Sequence, residues 1–387
     1  MNILIFGASF PNELEPLLGI FNYKLLENYP PEHDYKVVAP VPFGLELKKR
    51  YRGRINALDT IMIGAKPVEV YRPRYLLLPR RLLTPLIGFV EYLLSINTIR
   101  RIHREWHIDL IHVNFAYPDG IAAMWISRVL KIKYVLTEHR GLLAETLDDI
   151  WIKAQLKKAY KSAAVVTTVS EYNANVLLEK TNVKATLIPN GLDFSRFQPQ
   201  TGRDRLQYLV CIAHLIPAKG IQYLIEAISL LKQQGRSFKL DIIGEGEYRP
   251  HLQNMINQSG LQDSVKLRGR YTPEQLEMEL PKYDALVLPS LRESFGIVLI
   301  EAMACGLPVL ATRCGGPEHI VTSETGLLVA PGSSEELAKG LEELDAKWSS
   351  YDSVAIRGWA ESRYSVDTVV KSYFTVYKSI TRNQRCL

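Results

Sequence analysis

Short apolar runs rich in β-branched residues alternate along this chain with longer runs of helical period. NILIFG (2–7) precedes the helix-like GIFNYKLLENY (19–29), and YKVVAPV (35–41) follows. DLIHVN (109–114), DGIAAMWISRVLKI (119–132) and KYVLTEH (133–139) repeat the pattern. A helix around 149–162, the run AAVVTTVS (163–170), a further helix and ATLIPNG (185–191) extend it. Such alternation predicts parallel strands covered by helices on both faces. The pattern then restarts. LQYLVCIAHL (206–215) reads as a strand, and KGIQYLIEAISLLKQQG (219–235) as an amphipathic helix ending at a glycine. KLDIIGEG (239–246), SVKLRG (264–269), DALVLPS (284–290), PVLAT (308–312) and GLLVAP (326–331) read as further strands. Two α/β series, each opening on its own strand, predict two Rossmann-like domains. The polar NGLDFSRFQPQTGRDR (190–205) carries no helical period and marks the boundary. A last helix, roughly 365–382, sets Val366, Val369, Val370, Tyr373, Phe374 and Tyr377 at helical spacing.

The length of 387 residues suits two domains of roughly 150–200 residues each. The charge is uneven. Residues 1–200 hold 26 basic against 19 acidic side chains, whereas residues 201–387 hold 21 against 22. Within 48–104 the ratio is 13 to 3, including KKRYRGR (48–54) and RPRYLLLPRRLL (72–83). Cations interleaved with Leu and Tyr suit an anionic membrane surface or a lipid-linked anionic acceptor; a solvated basic face on an amphipathic helix is the alternative. Cys211, Cys305, Cys314 and Cys386 have neither zinc spacing nor a disulfide framework, which fits reduced thiols in the cytoplasm. MNILIFGASF reads as a first strand rather than a signal peptide. Pro79, Arg80, Arg81, Pro85 and Glu91 interrupt the most hydrophobic region, so no membrane span is expected.

Two Rossmann-like domains invite a nicotinamide cofactor, but the dinucleotide fingerprint is missing. The first strand ends in GASFPN, and the nearest match, GEGEYR (244–249), has Arg249 where the third glycine belongs. Phosphate-loop, HExxH and GxSxG motifs are absent as well. What remains is a set of strand ends carrying glycine and selected charges: GASF, TEHRG (137–141), HLIPAKG (214–220), GEG, RG (268–269) and PSLRESFG (289–296). Ligands bind beyond the carboxyl ends of strands in open α/β sheets.

Lys219 stands just before a helix, where the dipole slightly disfavours a cation but a phosphate would welcome one. SFGIV (294–298) opens another helix. Its first amides lack intrahelical partners and Gly296 admits close approach, which suits a diphosphate; Ser294 as an N-cap is the plain alternative. Glu293 precedes that helix and Glu301 lies inside it. Eight residues advance ~800°, about 80° past two turns, so both acids address one side from different depths. One carboxylate accepts from two vicinal hydroxyls. An acid on a ribose, another on a sugar and a diphosphate between them describe a nucleotide-sugar.

These segments resemble the retaining glycosyltransferases of family 4, which have the GT-B fold and often a Glu-x7-Glu motif. The resemblance rests on RESFGIVLIEAMACGLPVLATRCGGPEHIV (292–321), HLIPAKGIQYLIEAI (214–228), IIGEGEYRPHL (242–252), IPNGLDFSRFQP (188–199), FPNELEPLLGIF (10–21), HVNFAYPDGIAA (112–123) and VLTEHRG (135–141). It covers nearly the whole chain, with the motifs in the family's order. It implies two Rossmann-like domains facing each other across a cleft: residues 1–195 with the C-terminal helix, about 365–387, on the acceptor side, and 205–360 binding the donor.

By that resemblance Glu301 binds the donor ribose, Glu293 contacts the donor sugar, and Lys219 holds the diphosphate with backbone amides of Ser294, Phe295, Gly296 and Ile297. Arg268 lies beside the base, Gly19 belongs to a loop over the phosphates, and His139 sits close to the transferred sugar. No metal and no cofactor beyond the nucleotide-sugar are implied. One departure stands out: Ala213-His214-Leu215 replaces the usual Gly-Arg-Leu. His lacks the guanidinium fork, so His214 is expected to face the phosphates with less charge. The expected activity is transfer from a UDP- or GDP-linked sugar to a glycan or polyprenyl-linked acceptor in cell-surface polysaccharide biosynthesis. No nucleic acid is involved; the location is cytoplasmic, with peripheral attachment to the membrane's inner face as the basic segment's invitation. A non-catalytic GT-B partner of a membrane synthase and a sugar-nucleotide epimerase on the same fold stay open.

Overall fold

A computed structural model of the chain describes residues 1–16, 18–43, 57–76, 84–141, 143–199 and 205–382. The basic stretch 48–54, most of the second basic run (77–83) and Cys386 lie outside the described residues. The chain divides into two compact units, Met1–Gly191 with the chain from Val369 on, and Leu192–Thr368.

The first unit begins with β1 (Asn2–Phe6), α1 (Ile20–Glu27), β2 (Asp34–Val38), β3 (Val41–Phe43), β4 (Leu58–Ile63), β5 (Lys66–Tyr71) and β6 (Arg74–Leu76). Next come α2 (Ile87–Trp106), β7 (Leu110–Asn114), α3 (Ile121–Leu130), β8 (Tyr134–Glu138), α4 (Leu143–Thr146), α5 (Ile150–Ser162), β9 (Val165–Thr168), α6 (Glu171–Thr181) and β10 (Thr186–Leu187). The main sheet has the order β10-β9-β8-β7-β1-β2-β5-β4, and β3 pairs with β6 separately. β7 and β8 are buried at every residue, as expected for central parallel strands covered on both faces.

The edge departs from the expected all-parallel sheet. β4 runs antiparallel to β5, from Leu58 opposite Tyr71 to Ile63 opposite Lys66. The two-residue turn between them opens on Gly64 at φ +57°, and β4 leaves alternate residues open to solvent. Arg72 also departs from a basic outer face. It is 4% exposed, with Nε 3.2 Å from Asp59 Oδ2 and Nη2 donating to the Pro11 carbonyl at 2.8 Å. Glu91, which interrupts the apolar run in the sequence, does not interrupt the helix; it lies inside α2 at 0% exposure.

The second unit contains β11 (Tyr208–Ile212), α7 (Ile221–Gln233), β12 (Lys239–Ile243), α8 (Arg249–Gln258), β13 (Val265–Gly269), α9 (Pro273–Glu279) and β14 (Ala285–Leu288). It continues with α10 (Ile297–Ala304), β15 (Val309–Thr312), β16 (Gly326–Val329), α11 (Ser334–Ala346) and α12 (Ser353–Tyr364). Its strands are parallel in the order β13-β12-β11-β14-β15-β16. Ile221, Leu224, Ile225, Ile228 and Leu231 form the buried stripe of α7 over this sheet. The division falls at Gly191, ahead of the expected residue 195, because the next residues are tied to α12. Leu192 N–H donates to the Tyr364 carbonyl at 2.8 Å, and Arg357 donates to the carbonyls of Phe194 (2.8 Å) and Phe197 (2.9 Å).

The closing helix, α13 (Val366–Arg382), lays Val369, Val370, Tyr373, Phe374, Tyr377 and Ile380 into the first unit's core. Buried Tyr377 is its polar anchor, with its hydroxyl 2.7 Å from His112 Nδ1 and 2.8 Å from the Tyr29 hydroxyl. His112 Nε2 continues to Thr137 Oγ1 at 2.8 Å, and Thr137 to Thr167 at 2.6 Å. Burial pushes His112 down to about 3, so it is neutral there.

Candidate functional site

In the second unit the structure brings Lys219 and Glu293 together. Lys219 closes a 3-10 turn (Pro217–Lys219) between β11 and α7. Gly220 follows at φ +66°, and a Cβ there would stand 2.0 Å from the Pro289 carbonyl oxygen, so only glycine lets this turn sit on the end of β14. Leu291 N–H donates to the Ala218 carbonyl at 2.9 Å and fixes the two loops to each other. Glu293 is held from its other side. Its N–H reaches the Cys314 carbonyl at 3.2 Å, and its own carbonyl accepts from Gly316 N–H at 2.8 Å. These supports place Lys219 Nζ 2.6 Å from Glu293 Oε2, with the side chains 23% and 16% exposed. Burial pushes the neighbouring Cys314 thiol up to about 11, so it is not a nucleophile there.

Ser294, Phe295, Gly296 and Ile297 follow directly. Phe295 is buried and packs edge-on against Tyr364 at 6.0 Å between centroids. Gly296, at φ +97°, is the N-cap residue of α10, which opens at Ile297. Amides at such a start have no carbonyl within the helix to bond. Glu301 lies on α10 between buried Ile300 and Ala302 and is itself half-buried.

His214 is exposed, and its Nδ1 lies 2.7 Å from the Glu245 carbonyl oxygen. A carbonyl only accepts, so Nδ1 carries a proton. Arg268 stands apart from the Lys219–Glu293 pair, on the edge strand β13. Its Nε is 2.9 Å from Asp241 Oδ2, which also accepts from the Tyr283 hydroxyl at 2.9 Å. The bond to Asp241 raises the Arg268 pKa, and burial together with Asp241 raises that of Tyr283.

The first unit holds Gly19 and His139. Gly19 is the N-cap residue of α1 at φ +63°, pressed on the Ser9 carbonyl. His139 directly follows β8, with Nε2 3.1 Å from Asn114 Oδ1 and its ring against Phe21 (4.6 Å) and Phe115 (5.4 Å). Burial pushes it down to about 3, so it acts as a neutral hydrogen-bonding group. A cavity of about 490 Å³ is lined by Ala8, Ser9, Phe115, Asp119, His139 and Arg140, among others.

Asp119 and Arg140 carry polar chemistry at this cavity that the sequence did not single out, as does Asn114 behind it through its bond to His139. Asp119 and Arg140 lie inside the recognised YPDG and EHRG stretches; only their context marks them. Glu91 had a clearer signal: it shares a helical face with Gly88, Ser95, Ile99 and Ile102, all buried. Among the described residues no group of three or more His, Cys, Asp or Glu side chains is placed to hold a metal ion, and no helix is long and apolar enough to cross a membrane.

The family model described as Glycosyl transferases group 1 matches residues 193–356, and that described as Glycosyltransferase Family 4 matches residues 25–196. The putative teichuronic acid biosynthesis glycosyltransferase TuaC of Bacillus subtilis is 27% identical over 99% of each chain. The GDP-mannose-dependent alpha-(1-6)-phosphatidylinositol monomannoside mannosyltransferase of Mycolicibacterium smegmatis is 30% identical, over 68% of this chain and 75% of that protein. Among solved structures, the sucrose-phosphate synthase of Thermosynechococcus elongatus superposes with a TM-score of 0.77 at 18% identity, over 99% of each chain. Anabaena HepE in complex with UDP gives 0.74 at 20% identity, over 98% of this chain and all of the other.

Proposed function

This chain belongs to the group 1, family 4 glycosyltransferases and has the GT-B fold, and on that premise we propose that it moves a sugar from a UDP- or GDP-linked donor to a hydroxyl of a glycan or lipid-linked acceptor, with retention of configuration and without a metal ion. The process it serves is polysaccharide or glycolipid assembly, as the names of its relatives indicate. The observation that carries the reading is the 2.6 Å contact of Lys219 with Glu293 beyond the strand ends of the second unit.

In this reading Lys219 neutralises the donor diphosphate as a point charge. The amides at Ser294–Ile297 supply fixed dipoles for the same group. Glu301 takes the ribose hydroxyls and Glu293 faces the donor sugar. As the bond from C1 to the diphosphate oxygen breaks, positive charge grows on the sugar and negative charge on the leaving group; Glu293 opposes the first and Lys219 the second. The acceptor oxygen bonds C1 from the same face, and its proton passes to the departing diphosphate. His139 hydrogen-bonds the transferred sugar as a neutral ring, and Gly19 lets its loop approach the phosphates. Arg268 keeps its place beside the base in this proposal, with Asp241 fixing its fork.

Thermal-shift titration with UDP, GDP and their common sugar derivatives tests the donor, followed by transfer assays with product analysis. Stabilisation by none of them, with no transfer, would overturn the reading. His214 in the place of the usual arginine is the observation favouring a non-catalytic partner subunit, and binding without turnover would establish that. A new donor sugar formed without acceptor would establish an epimerase.

The membrane belongs to the same proposal. Leu86, Phe89, Leu93 and Leu94 stand exposed at the start of α2, and Arg100 and Arg104 further along it. Ile150 (74%) and Trp151 (71%) project from the first turn of α5, followed by exposed Lys158 and Lys161. Apolar side chains flanked by cations suit the headgroup region of an anionic bilayer. Flotation with vesicles containing phosphatidylglycerol at low salt should recruit the protein, and Trp151→Ser should weaken that; absence of recruitment would remove the membrane from the proposal.

A further inference from the structure

Two acids inside the first unit have no part in the transfer chemistry described above. Glu91 lies on α2 at 0% exposure, and Asp119 in the turn between β7 and α3 at 2%. What brings them together is a close helix approach. A Cβ on Gly88 would fall 2.7 Å from Ile121 Cβ and 3.0 Å from the Pro118 carbonyl, so α2 touches this turn at Gly88, and Glu91 follows one turn later on the same face. Asp119 Oδ2 accepts from Ala8 N–H at 3.2 Å. Both Glu91 oxygens and Asp119 Oδ1 lack a partner among the described residues. Yet the two carboxyls are near enough to act on each other, each shifting the other's titration. Two ionised carboxylates only accept, so they cannot bond each other. One added proton turns the same contact into a charge-assisted hydrogen bond.

We propose that Glu91 and Asp119 hold one proton between them, and that this shared proton seats the Gly7–Ser9 wall of the first-unit cavity. Asp119 turns one oxygen to Glu91 and offers the other to Ala8 N–H. Ser9 is fixed from its far side, where its carbonyl accepts from Asn22 Nδ2 at 2.9 Å. With the proton present, the wall rests on a neutral-plus-charged pair. Without it, two buried negative charges repel, Asp119 moves away from Glu91, and Ala8 loses its acceptor. Burial raises the pKa of both acids; Asp119 raises the Glu91 value further through charge and hydrogen bonding, whereas the hydrogen bond with Glu91 lowers that of Asp119. The other ionisable groups facing the pair are Arg140 and Glu138 at the end of β8, the first lowering and the second raising the Asp119 value, and the Tyr117 hydroxyl, which feels Glu91. Glu91 and Asp119 are thus positioning residues, acting through the wall rather than on the substrate. Their bearing on transfer rests on the cavity's place in the proposed function; the shared proton and the wall do not.

The experiment follows the proton and the wall separately, on the full chain and without substrate. Infrared difference spectra at neutral pH, wild type minus Glu91→Gln and wild type minus Asp119→Asn, should each contain the carbonyl stretch of a protonated carboxyl. Amide hydrogen exchange at Ala8, corrected for intrinsic rate, reads the wall. Its protection in the wild type should fall as pH rises, roughly tenfold per pH unit beyond the pair's midpoint. In Glu91→Gln the amide N–H replaces the proton permanently, so protection at Ala8 should stay level across the same range. A structural role alone would leave the two pH profiles parallel. Absence of the protonated-carboxyl band from the wild type, or parallel profiles, would overturn the proposal. An acceptor assay that fails while both signatures appear would count against the function assigned to the cavity and leave the proton pair standing.

Discussion

Replacing Glu293 with Gln separates what the acid does before the donor binds from what it does during transfer. In the structure Lys219 Nζ lies 2.6 Å from Glu293 Oε2, with the side chains 23% and 16% exposed. Exposed ion pairs contribute ~0.2–1 kcal/mol, and this half-buried pair belongs near about 1 kcal/mol. A diphosphate arriving at Lys219 must compete with that contact. Glutamine keeps the size and removes the competing charge, so UDP or GDP should bind up to about fivefold tighter to Glu293→Gln. Turnover should move the other way. Loss of a group opposing charge that develops only in the transition state costs about a hundredfold or more in kcat. Titration calorimetry with UDP and GDP reads the first quantity, and initial rates at saturating donor read the second. A tenfold weaker nucleotide with unchanged kcat would refute the reasoning and make Glu293 a ground-state ligand.

His214→Arg should tighten nucleotide binding by roughly tenfold, since a guanidinium adds a charge-assisted bond; unchanged calorimetric affinity would remove position 214 from the phosphate site. Tyr377→Phe leaves His112 Nδ1 and the Tyr29 hydroxyl each short of a buried partner, and should cost about 1–3 kcal/mol in urea unfolding; a loss under about 0.5 kcal/mol would show that they find other partners. His112 also predicts a pH dependence. The unfolded chain protonates it near pH 6.5 but the folded chain only near 3, so its contribution is complete above pH 6.5 and is lost as pH falls towards 3. The slope is about 1.4 kcal/mol per pH unit, and comparing the wild type with His112→Gln at pH 7 and 5 should show a weaker acid loss in the variant; equal losses would contradict it.

The fold of the second unit was legible almost strand by strand, because its β-branched runs are short, buried and separated by amphipathic helices. The hairpin β4–β5 was harder to see. Its alternation is diluted by Pro67, and its two strands stand at an edge where burial imposes less pattern. Lys219 and Glu293 were legible as residues of the right type at strand ends, yet 74 positions separate them in the chain. Only the strand order, which sets β11 beside β14, makes them neighbours. The acid pair was hidden for another reason. Glu91 looked like an interruption in an apolar run, because a sequence shows that an acid is present but not that a second acid waits across a helix contact.

One feature recurs in both units: named polar groups are paired with an opposite charge, share a proton or are held neutral. Lys219 rests on Glu293, Arg268 on Asp241, and Glu91 with Asp119 requires a proton; His112 and His139 are kept neutral by burial. In the proposed function a donor diphosphate brings negative charge to the second unit, and the cation that meets it must first leave an acid. On the same proposal the released carboxylate of Glu293 is then free beside the sugar when positive charge develops there. The same exchange that weakens ground-state binding therefore prepares the transition state, which is the condition for binding energy to appear as rate. If Lys219 and Glu293 acted independently, Lys219→Met would weaken nucleotide binding equally in the wild type and in Glu293→Gln. If they exchange partners, the loss is larger in Glu293→Gln, where the lysine has no competing acid, and a double-mutant cycle measured with UDP or GDP should show that difference at about 1 kcal/mol.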